Sequence, residues 1–408
     1  MGGWVQRQPA GKDGVAAVSR SRRSGSDGQL FLRDDTRRGY EPRRLAGFCP
    51  DVIVFAQGAR ANASRERLAE AIAGLYPRAR RVEAPHVPHN RVPVEGQTPL
   101  QRLCRGKRML VLGEHRSSVR FSDERENTCP NYWHFSPQGF CPFDCTYCYL
   151  AGTRGVRFCP AVKVFLNVDD MLARIDRIAT RLAQPTGFYV GKLQDGLALD
   201  PLTGHSRVMV PFFAAHPFAR LIILTKADDV SNLLDLRHEN HTILSWSLNP
   251  PEVGEQFEAS VPAVGRRIEA MKRCAEAGYP LRAVIMPIIP IPGWQAAYDR
   301  FLARLLSEVP LDRITLGGIC SFASARGFLE ARLGRDNAIS AALASRCSRP
   351  GDGRYRYPKA ARIAMYGHLI DSIRRCRPDL QISLCLEERE VFHALGMASS
   401  IGQCNCVL

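Results

Sequence analysis

The sequence predicts an α/β fold: a partial or full (β/α) barrel with a small α/β layer on its N-terminal side. Three observations carry this expectation. From about residue 131 onward, short apolar runs of strand length alternate with helical stretches, which implies parallel strands joined by crossover helices. Two further strand-like runs and a helical stretch stand before that series. A hydrophobic content of 45% over 408 residues gives enough material for one large core or two moderate ones.

Taken in order, residues 1–46 are rich in Gly, Ser, Arg and Asp, lack periodicity, and read as a disordered basic tail. Order is expected to begin near Asp51, with a buried strand over 51–56. A helix follows from Ser64 to Tyr76 with Ser64 as N-cap, then a second strand over 108–113. These make up an N-terminal α/β region over 47–125. The barrel is placed at 126–330. Its strands are expected at 162–167, 188–190, 221–225, 243–248, 281–289 and 313–318. Its helices are expected at 168–182, 255–277 (stopped by Gly278) and 294–306. A C-terminal extension over 331–408 carries a helix at 358–375 and a strand near 382–386. In a parallel barrel, chemistry gathers at the C-terminal ends of the strands.

Composition narrows the function classes. No run approaches the roughly 18 apolar residues of a membrane span. The N-terminus lacks a basic segment followed by an apolar run, so a soluble cytoplasmic protein with no membrane partner is expected. The formal charge of +16 fits either nucleic-acid affinity or an Arg-rich solvated surface with a basic tail. Fourteen cysteines, scattered rather than framed as in a small secreted scaffold, read as metal or redox chemistry before disulfides.

The strongest signal is Gly139-Phe140-Cys141-Pro142-Phe143-Asp144-Cys145-Thr146-Tyr147-Cys148-Tyr149. Three thiolates at C-x3-C-x2-C can ligate three irons of a [4Fe–4S] cubane from one loop. The fourth iron is then open to chelate the amino and carboxylate groups of S-adenosylmethionine and pass it an electron. The C–S bond breaks and a 5′-deoxyadenosyl radical results. A zinc site is the alternative; it would draw a fourth ligand from Cys129, Cys159 or His134.

With these residues, the chain resembles the spore photoproduct lyases, a branch of the radical S-adenosylmethionine superfamily. Further matching residues are Val164–Asp170, Thr225-Lys226, Leu233–His238, Ser247-Leu248-Asn249, Pro287-Ile288 and Gly293-Trp294. The resemblance runs from about Pro50 to Arg313. It implies a radical SAM barrel, with the cluster on Cys141, Cys145 and Cys148 and an electron donor such as flavodoxin or ferredoxin. It places Lys226, Ser247 and Asn249 at the cofactor's methionine and ribose, and Tyr147 on the adenine. Tyr149 matches a tyrosine that relays a hydrogen atom. Lysine suits a carboxylate as a point charge, and Ser and Asn supply hydrogen bonds. The same residues would also serve as ordinary strand-end caps, and Tyr149 as packing.

The departures from the family bear on the substrate. In the lyases a cysteine on the strand after the first helix returns the final hydrogen atom; here that place falls to Lys192, whose N–H bond is too strong for the task. Cys320, at the end of a barrel strand, is a replacement donor or a small core thiol. Cys385, Cys404 and Cys406 read as a second metal site or as incidental thiols. The DNA-contacting basic hairpin of the lyases is not found in the C-terminal third. These features favour hydrogen abstraction from a sugar carbon, an epimerisation of a small-molecule or saccharide substrate in secondary metabolism. The alternative is lyase-type repair of the spore thymine dimer in DNA, with the lesion extruded from the stack. A third reading is a cluster-bearing nucleic-acid-binding protein without turnover.

Overall fold

The computed structural model describes residues 40–122, 128–192, 194–344 and 352–408. Strands β1 (Val52–Phe55), β2 (Arg80–Glu83) and β3 (Met109–Gly113) lie in the N-terminal region. Three two-residue strands follow: β4 (Arg120–Phe121), β5 (Trp133–His134) and β6 (Gln138–Gly139). The longer strands are β7 (Val162–Phe165), β8 (Thr186–Val190), β9 (Ala219–Thr225), β10 (Thr242–Ser247), β11 (Leu281–Ile285), β12 (Arg313–Leu316) and β13 (Gln381–Leu384).

They form two sheets. A five-stranded sheet runs β2-β1-β3-β7-β6, and an eight-stranded sheet runs β13-β12-β11-β10-β9-β8-β5-β4. From β8 to β13 every neighbouring pair is parallel, the curved half of a (β/α) barrel. The sheets do not follow the divisions expected at 126 and 330. β7 pairs in parallel with β3 of the N-terminal sheet, and β13 pairs with β12 of the barrel. Pairing is set by apolar complementarity: the fully buried Val162 and Val164 join Leu110 and Leu112 in one apolar cluster.

The helices Val168–Leu182, Val264–Glu276, Trp294–Glu308 and Lys359–Cys376 close as periodicity predicts, and their buried faces join the strands in one core. Trp246, Tyr298, Phe188 and Tyr366 are its largest fully buried members apart from arginines. By the area rule, each such ring stabilises the fold by about 2–3 kcal/mol.

Several expectations are corrected. The first helix spans Ala63–Gly74, and Asn62, not Ser64, caps it by accepting from Arg65 N at 2.9 Å. The helix expected over 255–277 is two helices, Pro251–Phe257 and Val264–Glu276. Pro262 bars the helical conformation to Val261, and Glu258 turns inward to be 3% exposed. Gly278, at φ +85°, ends the second helix as expected. Order also begins before Asp51. The Tyr40 hydroxyl donates to Pro201 O at 2.6 Å, and Arg43 pairs with Asp229 at 3.2 Å. The rest of the expected tail, residues 1–39, lies outside the described residues. Among the described residues, no helix is long and apolar enough to cross a membrane.

Candidate radical and cofactor site

The cysteine loop begins where β6 ends, and Phe140 takes a left-handed φ of +50°, a costly conformation for an aromatic residue. Lys107 explains how it is held. Its ammonium donates to the carbonyls of Cys141 at 2.7 Å and Phe143 at 2.5 Å, and stands 3.7 Å from the centre of the Phe140 ring. Asp144 N donates to Ser260 Oγ at 2.5 Å, Asp144 pairs with Arg332 at 2.9 Å, and Thr146 N donates to Phe257 O at 2.9 Å. A turn with Cys148 N on Cys145 O at 3.1 Å closes the loop.

The three thiols line one cavity of about 190 Å³. Around them stand Asp195, Lys226, Ser247, Met286, Gly318 and Cys320, each lying beyond or at the C-terminal end of a parallel strand, as the barrel geometry demands. Tyr147 and Tyr149 line it from the loop. A larger cavity of about 550 Å³ lies by His89, His115 and Lys163; it carries no thiol, so the smaller one is the chemical site.

Burial raises the Cys141 thiol to about 12 against the opposing charge of Lys107, and raises Cys145 against that of Lys226. Deprotonating them requires a cation in the cavity, which is what an iron cluster is. No thiol of the loop hydrogen-bonds another, so each is left for its own iron. The donor set therefore fits a cubane with one open iron. The zinc alternative loses its fourth ligand: Cys129 lies against Cys385 and Cys404, Cys159 is fully buried with its carbonyl on Lys163, and His134 sits on β5 beside Tyr132.

Lys226 follows β9 and Ser247 ends β10; the lysine ammonium donates to the serine hydroxyl. The sequence gave no sign of the third partner. Glu258 lies 3.5 Å from Lys226, pairs with the buried Arg267 and accepts from the Tyr147 hydroxyl. Burial alone would raise its carboxyl, but Lys226, Arg267 and the Tyr147 hydrogen bond outweigh this and hold it at about 2. The signal that pointed to it was Pro262, which breaks the helix that would have carried Glu258 elsewhere. Asp195 was missed as well: it accepts from Thr225 Oγ1 and Lys226 N, both at 2.6 Å, and so fixes the end of β9.

Asn249 does not line the thiol cavity. Its amide oxygen accepts from Tyr298 at 2.8 Å, and its Nδ2 is buried without a partner among the described residues. The Tyr149 hydroxyl donates to Lys192 O at 2.6 Å, while the Lys192 ammonium stands 5.0 Å from the Tyr132 ring. Cys320 is 7% exposed and faces the cavity, and burial pushes its thiol up to about 11.

The sequence profile described as "Spore photoproduct lyase" matches residues 48–319, two-thirds of the chain. The chain belongs to the spore photoproduct lyase family. Over 233 residues it is 32% identical to the spore photoproduct lyase of Geobacillus sp. (strain Y412MC61), covering 56% of this chain and 66% of that protein. Over 227 residues it is 30% identical to that of Bacillus subtilis (strain 168), covering 55% and 64%. The chain thus matches just under two-thirds of the length of these curated relatives. Its fold matches that of a spore photoproduct lyase complexed with dinucleoside spore photoproduct (TM-score 0.71, 24% identity, 83% of this chain and 99% of that one). It also matches a doubly substituted lyase with bound AdoMet and dinucleoside spore photoproduct (TM-score 0.72, 25% identity, 82% and 98%). These relatives carry the lyase name, so the expectation of a sugar epimerase is not supported, and the repair alternative fits better.

Proposed function

We propose that this member of the spore photoproduct lyase family is a radical SAM lyase acting on a thymine-derived photoproduct of DNA, with Cys320 as its hydrogen-atom donor. The observation that carries this is one shared cavity: the thiols of Cys141, Cys145 and Cys148 and the separate thiol of Cys320 all line it. When bound, the [4Fe–4S] cluster and S-adenosylmethionine together supply hydrogen-atom abstraction at an unactivated carbon.

The chain's own groups divide the remaining work. Lys226, kept cationic and oriented by Glu258 and Ser247, offers its charge to the cofactor carboxylate. Asn249 has one free amide N–H pair for a ribose or backbone acceptor. Tyr147, with its hydroxyl tied to Glu258, presents a fixed ring for the adenine. Cys320 holds its hydrogen at neutral pH because burial keeps the thiol protonated. It gives that hydrogen atom to the substrate carbon, leaving a sulfur radical. Tyr149, lining the same cavity, holds a phenolic hydrogen that restores the thiol. A flavodoxin or ferredoxin supplies the electron, and the chain's +16 charge favours a polyanionic substrate.

The test is anaerobically reconstituted protein with reductant, S-adenosylmethionine and dinucleoside spore photoproduct in D2O. Repaired dinucleoside carrying deuterium is expected, because a thiol hydrogen exchanges with solvent; Cys320→Ala should lose that deuterium. Release of deoxyadenosine without repaired product would overturn the reading.

A further inference from the structure

A second group of thiols lies away from the cluster loop. Cys129 comes before β5 at one edge of the eight-stranded sheet, Cys385 directly follows β13 at the other, and Cys404 and Cys406 belong to the C-terminal segment. Cys129 is within hydrogen-bonding reach of both Cys385 and Cys404, and Cys404 of Cys406. Four cysteines separated by up to 277 positions are thus gathered into one continuous chain of sulfurs.

The two sheet edges meet here without a ladder. Thr128 donates to Glu387 O through its backbone N at 3.1 Å and its hydroxyl at 2.9 Å, and Leu386 N donates to Cys129 Sγ at 3.3 Å. Leu386 takes a left-handed φ of +55° to make this turn. Ser245 on β10 holds the C-terminal segment through Asn405 at 2.9 Å.

An independent observation points to negative charge at this place. Arg282 and Arg313 are each 6% exposed, and among the described residues neither pairs with a carboxylate. Their guanidiniums donate to carbonyls of the same segment: Arg282 to Val407 O at 2.6 Å, Arg313 to Cys404 O at 2.9 Å. Two buried cations without a counter-charge are costly. Four thiolates on one divalent ion carry a net charge of −2, which balances them.

We propose that Cys129, Cys385, Cys404 and Cys406 form a four-thiolate site for a single zinc ion that staples the two edges of the open barrel. Thiolates at about 2.3 Å from zinc stand about 3.8 Å from one another, close to the spacing of hydrogen-bonded thiols. A cubane would hold them farther apart, one per iron, as in the loop over 141–148. No three His, Cys, Asp or Glu side chains among the described residues yet converge on one point as bound ligands do. Zinc does this by replacing the thiol protons, which are released to solvent, and drawing the two ends of the sulfur chain inward. No redox step is involved, and the site stands whether or not the substrate proposal does.

The experiment compares the full-length protein with Cys141→Ala/Cys145→Ala/Cys148→Ala, both purified anaerobically and then desalted after exposure to zinc chloride. About one zinc per chain is expected in both by mass spectrometry of the elements. Adding Cys404→Ser/Cys406→Ser to the triple variant should cut it at least about tenfold. Should that variant fail to fold, cobalt(II) in the triple variant decides: intense sulfur-to-cobalt charge-transfer bands with tetrahedral d–d bands support the site, and their absence overturns it. Iron with acid-labile sulfide in the triple variant, absence of zinc, or a mass lowered by two hydrogens per disulfide would each overturn it.

Discussion

The loop cysteines and the edge cysteines use the same side chain to opposite ends. Cys141, Cys145 and Cys148 are neighbours in sequence, held apart by a loop that spends Lys107, Ser260 and Arg332 on its backbone and its one carboxylate. Cys129, Cys385, Cys404 and Cys406 are remote in sequence, yet their sulfurs touch. Separated thiols open onto a cavity suit a polynuclear cofactor with a free corner. Touching thiols beside two buried arginines suit a closed ion that joins chain segments. The contrast is between a site for turnover and a site for architecture, and each prediction below pulls the two apart.

The largest expected effect is Cys145→Ala: visible absorbance of the reconstituted cluster and deoxyadenosine formation should fall to background, while the zinc content stays unchanged. Glu258→Gln comes next. It strands Arg267 and Lys226, with Arg267 only 2% exposed at its side chain, and breaking a buried pair of this kind costs about 3–5 kcal/mol; denaturant midpoints measure it. Lys107→Met should reduce cluster loading by about 10-fold, the usual scale for a group that orients metal ligands. Iron per chain reads this, and the edge thiols should not respond.

A pH effect follows from buried imidazoles. Burial lowers His89 to about 3, His115 to about 4 and His134 to about 3. Their folded values lie below the unfolded 6.5, so below that pH the unfolded chain binds more protons. Stability should therefore decline as pH falls from about 6.5 toward 4, and thermal unfolding at fixed salt measures the slope. Glu258 pushes the same way only near pH 2 to 4, where its charge is lost. The smallest expected effect is Tyr298→Phe. It removes the hydroxyl between Asn249 and Ile289 N, at a cost of about 1 kcal/mol, and should raise the KM for S-adenosylmethionine more than it lowers kcat.

What was legible in the sequence follows the same contrast. The thiol loop, Lys226, Ser247 and the parallel strands β8 to β12 are written locally, as spacing or as apolar runs. Glu258 and Asp195 were not, because a buried carboxylate is recognised only by the cations and amides that close on it from other elements. Thr98 and Gln101 form a capping box that was readable for the helix Pro99–Gly106. β2, with the sequence Arg-Arg-Val-Glu and three exposed residues, carries no alternation to read. The association of Cys129 with Cys385 depends on two sheet edges meeting, which no short window of sequence contains.

The bonds that hold the cysteine loop involve protein groups only. Lys107, Ser260, Arg332 and Phe257 grip its backbone and Asp144, not the sulfurs. Oxygen that strips the iron would thus take away cargo and leave the cradle standing. For such a protein, damage by air is an interruption to be mended by reloading rather than a sentence to degradation.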